Sequence, residues 1–266
     1  MRSRLLLVLF LVSPTLLAQD LSQFEKVLVP VLNNNPIHGA NGSTFATTFG
    51  ILSDNVFDPF SFYPTGATTP QIGKSFAQIL EVVPWEAPVI AHGRFLFVEQ
   101  RVAKAPMFAD VAATAPDGSI ARTQIPVVHE RDVLIGKSTF GLIPNDATNS
   151  GGYRQRHTLR IYDFDSRGDM RVVVRMRFAS WLSRGVIAEQ TIAIDQRDAN
   201  DISYPYFVEA DLERSFGSDW CYPGLRGCTS FDAIIEVEPL RATDRYFAFI
   251  STTDNATNHI AIYTAR

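Results

Sequence analysis

Apolar and polar residues alternate with a period of two along much of this chain of 266 residues. In Arg171–Phe178 the even positions are all apolar, and three of the odd positions are arginines. Thr44–Ile51, Ala233–Glu238 and Tyr246–Ile250 continue the pattern. Successive Cβ atoms of a strand point to opposite faces, so each segment is predicted to bury one face and expose the other, as strands of antiparallel sheets do.

Turn signals separate these segments, and many short strands with such punctuation indicate a β-sandwich. The turn signals are Asn33–Pro36, Pro64–Gly66, Pro116–Gly118, Ser166–Asp169 and Asp254–Asn255. Helical spacing is brief: Phe76, Ile79 and Leu80 fit one turn, and Phe207–Leu212 could form another before Gly217. The predicted fold class is therefore all-β, with one or two short helical turns.

The chain also contains an internal repeat. Met107–Thr114, a Pro-Asp-Gly turn and Ile120–Ile125 match Tyr246–Thr253, an Asp-Asn turn and Ile260–Tyr263. We expect a strand pair upstream of each: Thr44–Ile51 with Phe57–Tyr63, and Thr158–Tyr162 with Arg171–Phe178. Such a repeat is typical of a duplicated unit. It predicts two tandem antiparallel, immunoglobulin-like β-sandwich domains, over residues 19–132 and 133–266.

Residues 1–18 have the order of a secretory signal peptide: basic Arg2 and Arg4, the apolar run Leu5–Val12, and the small Ala18 before the cleavage point. No later segment is long and apolar enough to span a membrane. We therefore expect an extracytoplasmic product, either secreted, periplasmic or at the cell surface. Cleavage removes two arginines and no acid, so the mature chain is more negative than the full chain at −4. This charge argues against general binding of nucleic acid.

Cys221 and Cys228 are the only cysteines, and the Pro-Gly sequence between them provides a turn. In an oxidising compartment such a pair is expected to form a disulfide. A zinc site would need further ligands that no motif supplies, so neither metal nor cofactor is predicted. Trp220 precedes the loop between the cysteines and Tyr222 lies within it; both are candidate ligand-binding residues, unless they cover the end of a sandwich.

Several strand and turn segments also resemble exported bacterial proteins built from paired immunoglobulin-like β-sandwich units. The resemblance covers nearly all of the mature chain and implies a fold and a compartment, but it supplies no site residue. The segments are Val27–Val31, Gly39–Ser43, Ile125–Val128, Thr158–Asp163, Ile235–Leu240 and Tyr246–Asn255.

Arginine is concentrated in the second half. If Thr158–Tyr162 pairs with Arg171–Phe178 and both bury their apolar faces, their arginines emerge together on the solvent face. Guanidinium groups suit phosphate, sulfate and carboxylate, so this stripe is a candidate site for an anionic glycan. The alternative is cross-strand pairing with Glu189, Glu236 and Glu238. The candidate ligand-binding arginines are Arg160, Arg171, Arg175 and Arg177, and Arg154 and Arg156 would extend the stripe.

Catalytic motifs are weak. For nucleophilic catalysis there is no G-x-S-x-G elbow, and the five histidines are scattered. For glycoside hydrolysis the acids of Glu236–Glu238 and Asp195–Asp201 fit a solvated surface better than a catalytic pair. Asp163–Asp169 is similar to a calcium loop, but Arg167 stands where a ligand belongs, and a turn explains the same residues. The sequence favours a non-enzymatic interaction or structural module. The alternatives are a carbohydrate or anionic-glycan binder and an extracellular hydrolase; a partner would be an extracellular glycan or protein.

Overall fold

The structure is a computed structural model, and the part of the chain that it describes is mostly β-strand in antiparallel sheets. The all-β prediction is therefore confirmed. The signal segment 1–18 and the loop Trp220–Cys228, with Cys221, Tyr222 and the predicted disulfide, lie outside the described residues and stay predictions. The described residues are 24–31, 37–39, 42–52, 59–62, 71–74, 79–81, 92–100, 104, 106–145, 155–178, 185–198, 200, 204–216, 231–257 and 259–265.

The N-terminal half, residues 24–129, forms two sheets. Sheet I has the strand order β10-β1-β7-β4-β5, and sheet II has the order β2-β3-β8-β9 with β6 also paired to β3. The strands are β1 Phe24–Val29, β2 Ile37–His38, β3 Thr44–Leu52, β4 Pro59–Phe62, β5 Gln71–Lys74, β6 Ile79–Glu81, β7 Arg94–Glu99, β8 Met107–Thr114, β9 Ile120–Ile125 and β10 Val128–His129.

The C-terminal half, residues 134–265, follows a short 3₁₀ helix at Glu130–Asp132 and forms two more sheets. Sheet III has the order β11-β18-β13-β16 with β19 also paired to β18, and sheet IV has the order β12-β17-β14-β15. The elements are β11 Leu134–Ile135, β12 Ser138–Asn145, β13 Gln155–Asp163, β14 Met170–Phe178, β15 Val186–Ile194, β16 Tyr206–Asp211, α1 Leu212–Phe216, β17 Phe231–Pro239, β18 Arg245–Asp254 and β19 Ile260–Thr264.

The two halves share one strand topology. The order β1-β7-β4-β5 in sheet I corresponds to β12-β17-β14-β15 in sheet IV, and β6-β3-β8-β9 in sheet II corresponds to β16-β13-β18-β19 in sheet III. The two predicted closing hairpins are present as β8–β9 and β18–β19. Among the described strands, none of the first half pairs with one of the second. The division into domains at residue 132 nevertheless stays a prediction.

The predicted upstream strand pairs are wrong. β13 pairs with β16 and β18, whereas β14 pairs with β15 and β17, so the two strands lie in different sheets. β3 and β4 are separated in the same way. The expected apolar faces do meet: Leu159 and Ile161 of β13 share one core with Val172 and Val174 of β14. They face each other across the sandwich because an apolar stripe can be buried by a facing sheet as well as by a neighbouring strand.

Sheet III is covered on both of its faces. One face packs on sheet IV through the core just described, and the other carries Tyr162, Phe247 and Phe249, which pack on Leu28 and Phe95 of the N-terminal half. Strands buried on both faces have near-continuous apolar sequences. The run Tyr246–Ile250 is of this kind, and all five of its residues are buried, so the prediction that this segment exposes one face is wrong.

Polar contacts also join the halves. The buried Tyr162 hydroxyl lies 2.5 Å from the carbonyl oxygen of Pro30 and 2.7 Å from that of His92. The Lys26 ammonium donates to the carbonyl of Phe164 and lies 3.9 Å from the centre of the Phe95 ring. Burial lowers the pKa of Lys26 to about 8.

The helical predictions are mostly wrong. Phe207–Asp211 belongs to strand β16, and a five-residue helix begins only at Leu212. Ile79 and Leu80 lie in strand β6, whereas Phe76 is outside the described residues. In β16 the inner face carries Val208 and Ala210 and the outer face carries Phe207. Because both faces of this strand are partly apolar, the spacing of its apolar residues is similar to that of a helix.

Candidate functional site

The arginines predicted to form one stripe are divided between opposite faces of the C-terminal sandwich. Arg171, Arg175 and Arg177 lie on β14, on the face of sheet IV away from the core. Arg160 lies on β13, on the face of sheet III turned toward the N-terminal half. The predicted stripe therefore does not exist, because β13 and β14 are facing strands rather than neighbours.

The arginines of β14 form cross-strand ion pairs, as the alternative interpretation expected. Arg175 binds Glu189 of β15 at 2.6 Å and also contacts Glu238 of β17. Arg177 lies 3.2 Å from Glu236, which accepts a second contact from Lys137 at 3.0 Å. Burial opposes ionisation of Glu236, but these two cations outweigh it and lower its pKa. Most of the positive charge on this face is thus neutralised.

The calcium-like segment is a turn between the two sheets of the C-terminal half. The Asp163 carboxylate accepts backbone N–H groups from Asp165 at 2.9 Å, Arg167 at 2.7 Å and Gly168 at 3.0 Å. Burial raises the pKa of Asp163, and these bonds oppose the rise. Its oxygens thus organise the turn. Across the described parts of the chain, no group of three potential metal ligands comes together.

Arg160 lies in a cleft between the two halves, with a volume of about 320 Å³. One wall is the outer face of sheet III, with side chains from β13, β16 and β18. The opposite wall comes from the N-terminal half and includes Phe45, Val111 and Ile125. The volume lies at the lower end of the range of small-molecule sites, about 300–1,000 Å³.

The sheet III wall is polar and ordered by its own hydrogen bonds. Arg160 forms an ion pair with Glu209, its cross-strand neighbour, and donates to the Ser251 hydroxyl at 2.7 Å. Its guanidinium carbon also lies 5.6 Å from the centre of the Phe249 ring. Asp211 accepts the backbone N–H of Arg214 at 3.0 Å, in the first turn of α1. The wall therefore presents fixed donors and acceptors.

A histidine held by an aspartate also lines the cleft. His92 Nδ1 lies 2.8 Å from Asp198, and the backbone N–H of His92 donates to the same carboxylate at 2.7 Å. The imidazole stacks on Phe207 with the ring centres 4.6 Å apart. The hydrogen bond to Asp198 raises the pKa of His92, against the opposing effect of burial. Sequence reasoning missed this pair because its members are far apart in the chain.

Of the arginines predicted to form or extend the stripe, Arg156 and Arg160 are among the described residues that line the cleft. Arg154, Trp220 and Tyr222 lie outside the described residues. The signal that could have revealed the wall is the face shared by Thr158, Arg160 and Tyr162, which changes from polar to aromatic along one strand. Within the described residues there is no helix long and apolar enough to cross a membrane.

Comparison with known proteins identifies no relative. No family model matches the chain, and neither the curated proteins nor the solved structures include a match.

Proposed function

We propose that this chain is a non-enzymatic, extracytoplasmic interaction module that binds a small ligand in the cleft between its two halves. The observation that carries the proposal is the cleft itself: a concave space of about 320 Å³ with an ordered polar wall and a mainly apolar wall. A concave site with a few convergent polar groups is the usual form of a ligand-binding site.

Export is part of the proposal and is supported by the order of residues 1–18, basic, then apolar, then small. The shared strand order of the two halves supports the further proposal of a duplicated, immunoglobulin-like sandwich related to exported bacterial proteins. Expression in a bacterium, fractionation and mass measurement test export. A product beginning at Gln19 in the periplasm or medium supports it, and an uncleaved chain in the cytoplasm contradicts it.

Binding is favoured over hydrolysis, although Glu209 and Asp211 both line the cleft. A glycoside hydrolase needs one carboxyl group free to protonate the leaving oxygen and another free to attack or activate water. Glu209 is already bound to Arg160, and Asp211 already accepts the N–H of Arg214. Each of the two side chains therefore already has a structural partner.

An anionic-glycan site on the β14 arginines has less support, because Arg175 and Arg177 are bound to glutamates. A heparin column at low salt tests this alternative directly. We expect no retention of the mature chain. Retention that disappears when Arg171, Arg175 and Arg177 are replaced by serine would restore the anionic site and count against the cleft as the main binding surface.

The cleft is tested by binding measurements on the exported chain and on Thr158→Trp, which places an indole in the cleft. The matched control is Thr139→Trp on β12, which lies opposite Glu236 on the outer face of sheet IV. Calorimetry would use methyl glycosides, disaccharides, uronates, sulfated sugars and short peptides. We expect a ligand that binds the native chain and the control but not Thr158→Trp. Binding that survives Thr158→Trp, or no binding from any class, refutes the proposal.

A further inference from the structure

The polar wall of the cleft is a small lattice of side chains on three neighbouring strands. Arg160 of β13 lies between Glu209 of β16 and Phe249 of β18 in the strand register. One row further, Thr158 lies between Asp211 and Ser251 in the same way. Neighbouring strands are about 4.8 Å apart, and alternate residues along a strand are separated by about 6.7 Å. Donors and acceptors are therefore distributed over an area comparable to one pyranose ring.

The charges of this lattice balance. Two arginines, Arg156 and Arg160, line the cleft, and so do two carboxylates, Glu209 and Asp211. His92 also lines it, and its imidazole is paired with the Asp198 carboxylate, so a proton on His92 adds no unpaired charge. A carboxylate or sulfate ligand would have to leave water for a site in which two negative groups repel it, and a cation would meet the two arginines. Burying a charge without a partner is costly. The lining therefore selects an uncharged ligand.

The same lattice excludes a purely apolar ligand. Such a ligand would displace water from the hydroxyls of Thr158 and Ser251 and from the Arg160–Glu209 pair without replacing the hydrogen bonds. Buried polar groups that lose their partners cost about 1–3 kcal/mol each. The ligand must therefore carry several hydroxyl or amide groups along the side that contacts sheet III.

The opposite wall requires apolar surface on the same ligand. Phe45, Val111 and Ile125 of the N-terminal half lie across from the polar wall, and Ile260 and Ile262 of β19, a strand of sheet III, add apolar surface beside the polar rows. A pyranose combines both properties, since its C–H groups form an apolar face and its hydroxyls form a hydrogen-bonding edge. A guanidinium and a carboxylate bound to each other can donate to one hydroxyl and accept from its neighbour.

We propose that the cleft binds a neutral saccharide, the size of a mono- or disaccharide, with its hydroxyls on the Arg160–Glu209 and Thr158 rows and its C–H face on the Phe45 wall. This assignment rests on the proposed function, since it names the ligand class of the same cleft.

The test compares two pairs of matched variants by calorimetry with methyl glycosides, maltose and cellobiose. Glu209→Gln breaks the Arg–Glu pair in the cleft, and Glu189→Gln breaks the equivalent pair with Arg175 on the opposite face. Thr158→Val removes one hydroxyl from the wall, and Thr139→Val removes one from the outer face of sheet IV. Circular dichroism confirms that each variant is folded.

We expect a neutral glycoside to bind the native chain at least tenfold more tightly than its uronate. We expect Glu209→Gln to weaken this binding by about tenfold, the effect of losing one charge-assisted hydrogen bond, and Thr158→Val to weaken it several-fold. Both controls should bind within twofold of the native chain. Glu209→Gln should also reduce the ratio of glycoside affinity to uronate affinity, because it leaves the cleft with a net positive charge.

The possible failures separate the two proposals. The native chain could prefer a uronate, a sulfated sugar or a peptide, and Thr158→Trp could abolish that binding. In that case the neutral-saccharide assignment is wrong, but the cleft is still the binding site. The same holds if a glycoside binds in the cleft but Glu209→Gln and Thr158→Val leave its affinity unchanged. If no class binds, or if Thr158→Trp has no effect, both proposals are wrong.

Discussion

Replacing Tyr162 with phenylalanine tests how firmly the two halves are joined. The ring of Tyr162 is fully buried and stacks on Phe249 at 6.3 Å between centres, and phenylalanine preserves this packing. Only the hydroxyl is lost, and it lies 2.5 Å from the Pro30 carbonyl and 2.7 Å from the His92 carbonyl. The substitution therefore removes a polar link between the halves without creating a large cavity.

The magnitude follows from the number of hydrogens. A phenol has one O–H, so it donates to one of the two carbonyl oxygens at a time, and a typical buried hydrogen bond contributes about 0.5–1.5 kcal/mol. A buried carbonyl that loses its donor costs up to about 3 kcal/mol. We expect the free energy of unfolding to fall by about 2 kcal/mol, which corresponds to a fall in Tm of about 4–8 °C for a chain of this size.

The assay is equilibrium urea unfolding combined with hydrogen exchange, and the control is Tyr246→Phe. The Tyr246 hydroxyl contacts the Gly136 and Val237 carbonyls and the Ser138 hydroxyl, all within the C-terminal half. Both variants should lose stability, but only Tyr162→Phe should speed amide exchange in β1 and β7. A loss below about 0.5 kcal/mol, or equal exchange in both variants, would refute the role of Tyr162 as a link.

Three further predictions concern backbone strain and pH. Gly168→Ala should destabilise the chain more than Gly136→Ala in thermal unfolding, because both glycines have positive φ but only the Cβ at residue 168 would lie 2.6 Å from the ring of Tyr206. Glu236→Gln should make the free energy of unfolding fall less steeply as the pH is lowered. The reason is that the lowered pKa of the Glu236 carboxyl gives stability that is present above the unfolded pKa of 4.5 and is lost as pH falls through the folded pKa. In the native chain the free energy of unfolding should rise between pH 8 and 10.5, because in this range the unfolded chain binds more protons at Lys26 than the folded chain does. Lys26→Met should abolish this rise, as urea titrations at each pH would show.

Alternation predicted the strands whose two faces differ in polarity. In β17, Ala233, Ile235 and Val237 are buried in the core, and Glu236 pairs with cations on the outer face. The same pattern could not identify strand neighbours. Leu159 with Val172 is an apolar pair whether β13 and β14 lie side by side or face each other, because period two specifies a face and not a partner.

The cleft required information that no single segment contains. In the sequence pattern Arg160 lies on the face of β13 that points away from the core, and this position predicts that its side chain is exposed to solvent. The structure covers this face with the N-terminal half, so Arg160 lies in a cleft instead. A second clue, beside the mixed face of Thr158, Arg160 and Tyr162, is Tyr246–Ile250, which is apolar on both faces and therefore requires two covering layers.

The duplicated topology does not give the two halves equivalent packing. The C-terminal sandwich has its own core between sheets III and IV, whereas Leu28 and Phe95 of sheet I and Val111 of sheet II share a cluster with Phe247 and Phe249 of sheet III. Part of the apolar surface of the N-terminal half is thus covered by the C-terminal half. Because the cleft exists only where the halves meet, a ligand that binds there favours the joined arrangement in proportion to its affinity for that arrangement over any separated one. Ligand binding and the stability of this junction are therefore linked, and a variant that weakens the junction should also weaken binding.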